Sequence, residues 1–412
     1  MKVNKVNFFK GIERQFFLLL PIMVMVFFPS KELMGKFSLP DLFIFFQFFL
    51  FSIYSLYKMN IFVINEIIIL LILILFCVIS LFLTNYDDIL YKAKYLIRWV
   101  NYFLTFVIAY HFFDKSNYKF FMKGIYLMTF LVCLYGILQK LFFDVFFKTI
   151  FWIHTFPDYI YLTFRSVSFL DNPLNLCAFL AFPLGTLQFD KEMKRLNVFL
   201  VLMIYITIAL TASKIAIVLI ALSVLVYLSK FKKFFKYLLV ITPFMLVTVF
   251  SSSLYKTINS KYGLYDRLTN KNTYQASVNT RLLMYESSFV MIKDNFMWGI
   301  GNENFKKNFD ELTNRDNNYK ITNSSYTAEN FFLDFYLDYG LIPLIVILTL
   351  LVPVVISYYY GFSALKPLSF SILLYIVVGL IMSARAVPLL YLFFFYLAIF
   401  YKKQRLIINE NY

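Results

Sequence analysis

"TAENFFLDFYLDYGLIPLIVILTLLVPVVI", residues 327–356, decides how this chain is read. From Gly340 onward the stretch carries no charge, whereas its first part holds three carboxylates, Glu329, Asp334 and Asp338. A helix needs roughly 20 apolar residues to cross a hydrocarbon core of ~30 Å. If residues 329–357 formed one such helix, a rise of ~1.5 Å per residue would carry Asp338 about 13 Å deeper than Glu329. Carboxylates at that depth in lipid are too costly. The expectation is therefore two pieces: a helix over 329–339 outside the hydrocarbon or lining a cavity, and a span over 340–357 that begins at Gly340. Asn330, Asp334 and Asp338 are four apart and share one face of a helix, with Glu329 about 100° from Asn330. Their charge is expected to meet water or substrate.

The rest of the chain repeats the apolar half of that pattern. Its 412 residues are 61% hydrophobic and 15% charged, with 53 Phe and 32 Tyr, and the mean hydropathy is +0.72. These features predict an all-α polytopic integral membrane protein with about 12 transmembrane helices and one large outer loop near the C-terminus. The expected spans are 15–29, 39–57, 61–84, 96–113, 121–143, 174–189, 196–212, 214–229, 235–250, 340–357, 364–383 and 386–401. They divide the chain into a membrane domain over 1–250, an outer loop over 251–339, and C-terminal spans with a cytoplasmic tail over 340–412. The first span is not read as a cleavable signal, because no small-residue cleavage site follows it. Lys and Arg in short loops favour the cytoplasmic side. With both termini inside, nineteen of the 39 Lys and Arg fall in inner segments, ten in 251–328 and ten in the outer loops and helix ends.

The net charge of +16 is then explained by topology and by anionic lipid headgroups as partners. Nucleic-acid binding would need a soluble basic domain, and none is visible. Cys77, Cys133 and Cys177 fall in or beside spans with no pairing pattern and read as small core residues. The only two histidines, His111 and His154, have no metal-ligand company, and there is no Ser-His-Asp pattern.

Two connections are long. Residues 144–173 are aromatic-rich and could hold an interfacial helix, with Phe146, Phe147, Ile150, Phe151 and His154 at helical spacing. In 251–339, residues 251–280 read as irregular. "TRLLMYESSFVMIKDNF" then places Leu282, Tyr285, Phe289 and Ile292 on one face of a short amphipathic helix suited to a membrane surface. The glycines of "WGIGNENF" punctuate a turn; without a preceding strand or a third glycine they make no nucleotide loop. Four cations gather on the outer side: Arg165, Lys214, Arg281 and Arg385. Each has a plain alternative, such as a snorkelling lysine at 214 or a surface ion pair of Arg281 with Glu286.

Four segments in order, "RSVSFLDNPLNLCAFL", "LTASKIAIVLIALSVLVYL", "NTRLLMYESSFVMIKDNFMWGIGNENF" and "TAENFFLDFYLDYGLIPLI", resemble the O-antigen ligase and polymerase superfamily. The likeness is strongest over about 160–357. Lys214 stands where the family's T-x-S-R stretch has arginine, so a cation is kept but the bidentate fork is lost. Arg281 matches the arginine before the family's "G-x-G-x-x-x-F" turn, here Gly299, Gly301 and Phe305. Glu329-Asn330 matches the ligases' His-Asn, and Asp338 the acidic residue before the glycine. Glutamate in place of histidine is the chief departure; it argues against the lipid A-core ligase branch and towards a polymerase, or another branch with different acceptor chemistry.

The resemblance implies transfer of a glycan from undecaprenyl diphosphate to a sugar hydroxyl at the outer face of the bacterial cytoplasmic membrane. It implies no nucleotide sugar and no metal, and leaves a chain-length regulator as an optional partner. In the roles it suggests, Arg281 and Lys214 meet the diphosphate with Arg165 or Arg385 assisting, Glu329 is the base, and Asn330, Asp334 and Asp338 support it. A ligase and a lipid-linked oligosaccharide flippase are the alternatives. A flippase would favour internal repeats and mid-membrane ionisable residues, and no repeat is visible.

Overall fold

The computed structural model describes residues 32–33, 37–38, 46, 65–83, 89–113, 115–141, 168, 173–189, 194–211, 213–228, 271–301, 304–305, 307–309, 328, 330–360, 363–381 and 387–410. Its helices are α1 (Asn65–Leu83), α2 (Ile89–Phe112), α3 (Lys115–Leu141), α4 (Pro173–Phe189), α5 (Lys194–Leu210), α6 (Lys214–Leu228), α7 (Lys271–Asp294), α8 (Phe331–Tyr339), α9 (Leu341–Tyr359), α10 (Lys366–Ile381) and α11 (Val387–Glu410). Among the described residues the departure from an all-helical chain is one two-residue antiparallel pair, β1 (Glu32–Leu33) and β2 (Phe37–Ser38).

Each expected span from 61–84 to 214–229, and from 340–357 to 386–401, coincides with a helix. Phe121–Gln139 and Leu341–Tyr359 are long and apolar enough to cross a membrane, while Ile68–Phe82, Leu174–Phe189, Asn197–Leu210, Ile215–Val226 and Lys366–Leu380 are shorter apolar helices. The expected spans 15–29, 39–57 and 235–250, and the aromatic loop 144–173 apart from Ser168, lie outside the described residues.

The chain forms two compact units. One comprises Met1–Lys31, Asp114–Tyr274 and Phe362–Val378; the other comprises Glu32–Phe113, Gln275–Gly361 and Gly379–Tyr412. In the first, α5 packs on α3 and α4, and α6 on α4. Apolar surroundings require polar groups to pair internally. Accordingly the Gln188 amide donates to the Ser223 carbonyl at 3.0 Å, and the Tyr205 and Ser223 hydroxyls bond each other. Ser168, with φ of 53°, tacks its loop to α3: its N–H donates to Gln139 Oε1 at 2.9 Å and its hydroxyl to the Val132 carbonyl at 2.7 Å. Cys77, Cys133 and Cys177 are buried and none forms a disulfide, in keeping with their reading as core residues.

In the second unit α2 packs along α11, and α1 packs on α2, α8 and α9. Trp99 is the hub of this core, edge-on to Tyr102, Phe335, Tyr339 and Phe394 at centroid distances of 5.2–6.3 Å. The Tyr401 hydroxyl ties α11 to α9 by donating to the Leu350 carbonyl at 2.7 Å.

One expectation for the 251–339 segment is corrected. Residues 271–280 are helical, not irregular: α7 begins at Lys271. Asn, Ser and Thr are only modestly poor helix formers, and the stretch has no Gly or Pro to stop a helix propagating backward from a packed segment. Of the Leu282–Tyr285–Phe289–Ile292 stripe, expected to suit a membrane surface, Ile292 packs against the apolar cluster while the stripe's other end stays outward. Leu282 and Phe289 are 53% and 64% exposed, while Met284, Ser287, Ser288 and Met291 are buried. The small serines let α7 lie close, and the Ser288 hydroxyl bonds back to the Met284 carbonyl at 2.6 Å.

Close approach also governs the first unit, where a Cβ added to Gly185 would stand 2.5 Å from the Ser371 Cα. Gly185→Val should therefore destabilise the folded protein by about 1–3 kcal/mol, read as a lowered thermal midpoint in detergent.

Candidate functional site

The site is built on a contact between a turn and a helix break. After α7 the chain turns through Asn295–Trp298, and Gly299 and Gly301 take φ of 71° and 86°. That turn lies against the α8–α9 junction at Gly340, whose φ of 83° and ψ of −170° fall in a region open essentially to glycine alone. Two backbone bonds cross the contact: Ile300 N–H to the Leu337 carbonyl at 2.6 Å, and Leu341 N–H to the Met297 carbonyl at 3.2 Å. A Cβ on Gly299 would come within 2.9 Å of Gly340 N, and one on Gly340 within 2.7 Å of the Trp298 Cα. Neither glycine has room for a side chain.

α1 braces the same point. The Ser80 hydroxyl lies 2.7 Å from the Trp298 carbonyl and 3.1 Å from the Asp338 carbonyl, so its single proton is shared between the turn and α8. Phe76 of α1 stacks on Trp298 at 6.3 Å. Beneath the turn, Met284, Met291, Ile300, Phe305, Phe309, Ala328 and Leu337 form one apolar cluster. Phe305, expected as part of the glycine turn, is thus its anchor in that cluster.

The break at Gly340 confirms the two-piece reading of 329–357, with α8 and α9 as separate helices. The expectation for the carboxylates needs correction. Asp334 and Asp338 do share a face and avoid lipid, but they are 1% and 3% exposed and face protein, not water. One reason is that the Asp334 carboxylate accepts the Ala328 N–H at 2.6 Å. Asp338 lies beside Tyr339, whose hydroxyl is held well above the ordinary phenol range by burial first and by the Asp338 charge second, opposed by a hydrogen bond from Trp99. Asn330 is the cap of α8, not part of its buried face. Its side-chain oxygen accepts from the Phe332 and Leu333 N–H groups, each at 3.1 Å, and its amide donates to the Leu380 carbonyl at 2.9 Å.

Of the predicted cations, Arg281 sits half-buried on α7, three residues before Met284 of the apolar cluster. Lys214 opens α6 in the first unit, after the turn at Thr211. Glu329, Arg165 and Arg385 lie outside the described residues. Arg281, Asn330, Asp334 and Asp338 all belong to the second unit, on α7 and on α8 with its cap. Sequence reasoning missed Ser80 and Trp99, and the one available signal for Ser80 was a lone hydroxyl in the apolar run "FCVISLFL". Gly340→Ala should cost about 1–3 kcal/mol for the forbidden backbone region alone. Ser80→Ala should cost about 1 kcal/mol, the two being ranked by thermal unfolding in detergent.

Residues 198–348 match the sequence model of the O-antigen ligase family, a little over a third of the chain. The matched segment contains Lys214, Arg281, Glu329, Asn330, Asp334 and Asp338, and leaves Arg165 and Arg385 outside. A search of curated proteins found no match. The matched segment includes the turn, α8 and the start of α9, so this site lies inside the region similar to that family, and the match supports a place in the O-antigen polymerase and ligase superfamily.

Proposed function

We propose that the chain is a repeat-unit polymerase for an O-antigen or capsular polysaccharide. It transfers glycan from undecaprenyl diphosphate to an acceptor sugar hydroxyl at the outer face of the cytoplasmic membrane. In this reading the chain crosses the membrane about twelve times, with both termini inside and 251–339 outside. The observation that carries it is the acidic residue 329 in place of the ligases' histidine, set between two residues whose backbone or side chain is tied down, Ala328 and Asn330.

The chemistry balances simply. Glu329 takes the proton of the acceptor hydroxyl, whose oxygen bonds to the anomeric carbon as the bond from that carbon to the diphosphate breaks. Undecaprenyl diphosphate leaves as an anion, and cations stabilise the charge that develops on it. Arg281 and Lys214 are the proposed contacts, with Arg165 or Arg385 assisting. The donor glycan is already activated by its diphosphate, so the step needs no nucleotide sugar.

A ligase that attaches finished glycan is the second reading, favoured by the description of the matching family. Deleting the gene separates the two when surface glycan is run on a gel and carrier-linked oligosaccharides are weighed by mass spectrometry. The polymerase reading expects the ladder to collapse to single repeat units; full-length polymer stranded on the carrier would instead mark a ligase, and units trapped on the cytoplasmic side a flippase. Complementation with Glu329→Gln should leave the ladder collapsed while the protein remains in the membrane, with turnover lowered about 10²–10⁴-fold. Arg281→Ala should do the same, and wild-type polymer from either variant would refute its assigned role.

A further inference from the structure

The two ends of α9 lie about one hydrocarbon thickness apart. Its 19 residues, at a rise of ~1.5 Å each, cover about 28 Å, close to the ~30 Å of a bilayer core. Ile345, Leu348, Val352, Val355 and Ile356 follow helical spacing and are all exposed, so one face of α9 is an aliphatic stripe. Thr349, exposed beside it, commits its hydroxyl to the Ile345 carbonyl at 2.8 Å, as lipid surroundings require. Tyr359 and Tyr360, the latter 89% exposed, end the stripe, and tyrosine suits a membrane–water boundary. Leu341 therefore stands at the opposite boundary.

At that boundary the turn after α7 is bonded to α9, Leu341 N–H to the Met297 carbonyl at 3.2 Å. Met297 and Phe296 are exposed, as are Phe289 and Val290 on the last turns of α7. Phe82 of α1 is exposed too, two residues beyond the Ser80 that bonds the Trp298 carbonyl. Large apolar side chains gathered on an open face mark contact with a membrane or a protein. This rim differs from the stripe read in the sequence, whose Ile292 packs inward. Lys293, Asp294 and Asn295 are exposed between its two pairs, which bars deep insertion. The apolar side chains can enter the edge of the hydrocarbon while those polar groups stay among headgroups, Lys293 by snorkelling.

We propose that the end of α7 and the turn after it form a bilayer contact: Phe289, Val290, Phe296 and Met297 rest in the lipid interface beside the start of α9, and Phe82 completes the rim. The occupant is lipid because the rim joins the lipid-suited face of α9 through the Met297–Leu341 bond. A protein partner would have to displace lipid already present at that level. The contact fixes the height of the turn relative to the headgroups. The proposal rests on α9 as a membrane span.

The test uses the full chain in phosphatidylcholine nanodiscs. Phe289→Cys, Phe296→Cys and, as the reference within α9, Val352→Cys each carry a spin label, with labelled wild type as the blank because its Cys77, Cys133 and Cys177 are buried. Oxygen relaxes a label in lipid and a water-soluble nickel chelate relaxes one in water. The oxygen-to-chelate ratio at 289 and 296 should rise above that of free label in buffer, towards the value at 352. A second arm needs no substitution: the wild-type chain is irradiated in nanodiscs that contain a phosphatidylcholine with a diazirine on its acyl chain. Adducts should form on the peptide covering 289–297 as well as on α9.

Labels at 289 and 296 that meet the chelate as freely as in buffer would overturn the proposal. Labels reached by neither agent would show the rim covered by protein and overturn it equally. So would wild-type adducts confined to α9, even if the variants fail to fold. A label at 352 in water would remove α9 as a span, and the multi-pass reading with it. A label at 352 in lipid beside aqueous labels at 289 and 296 would sink the rim contact alone.

Discussion

The second unit depends on one contact made almost wholly of backbone: the turn at Met297–Ile300 pressed on the junction of α8 and α9. Two main-chain hydrogen bonds and three positive-φ glycines define it. Each bond contributes only about 1 kcal/mol net. The contact matters because it is exclusive, since a Cβ on Gly299 or Gly340 would run into the opposing main chain. It fixes where the apolar helix α9 starts and ties that start to the end of α7. Ser80 and Phe76 extend the same constraint to α1.

From this constraint follows the division of labour along 328–359. α9 is apolar and unbroken by charge, so it suits lipid. α8 is nine residues long and buries Phe331, Asp334, Phe335, Leu337, Asp338 and Tyr339, so it suits neither lipid nor water. Of its two acidic groups, Asp334 is received by the Ala328 N–H, while the aromatic wall around Trp99 packs its Phe335 and Tyr339 rings. The two carboxylates that looked like surface charge are internal parts of the scaffold.

Much of this was legible beforehand. The helix break at Gly340 followed from charge and depth, and the glycine turn from its residues. Helices arose where long apolar runs stood, because run length is a one-dimensional property. What the sequence hid was three-dimensional. The side of α7 that packs on protein carries methionine and serine, and small residues permit an approach that hydrophobicity alone does not rank. Asp334 and Asp338 were placed on the correct face, but which medium that face meets depends on α1, α2 and α11, which are distant in the chain. Asn330 as a cap was missed because four-residue spacing suggested membership of the helix rather than its boundary. The roles of Glu329 and of the cations rest on family resemblance, and no spacing could supply them.

Phe309 and Ala328 belong to the same buried cluster, although eighteen residues, 310–327, separate them in the chain. A close-packed core that draws in residues so far apart in sequence makes them share a fate: a change of volume at Phe309 alters the packing that receives Ala328, and with it the acceptor of the Ala328 N–H on α8.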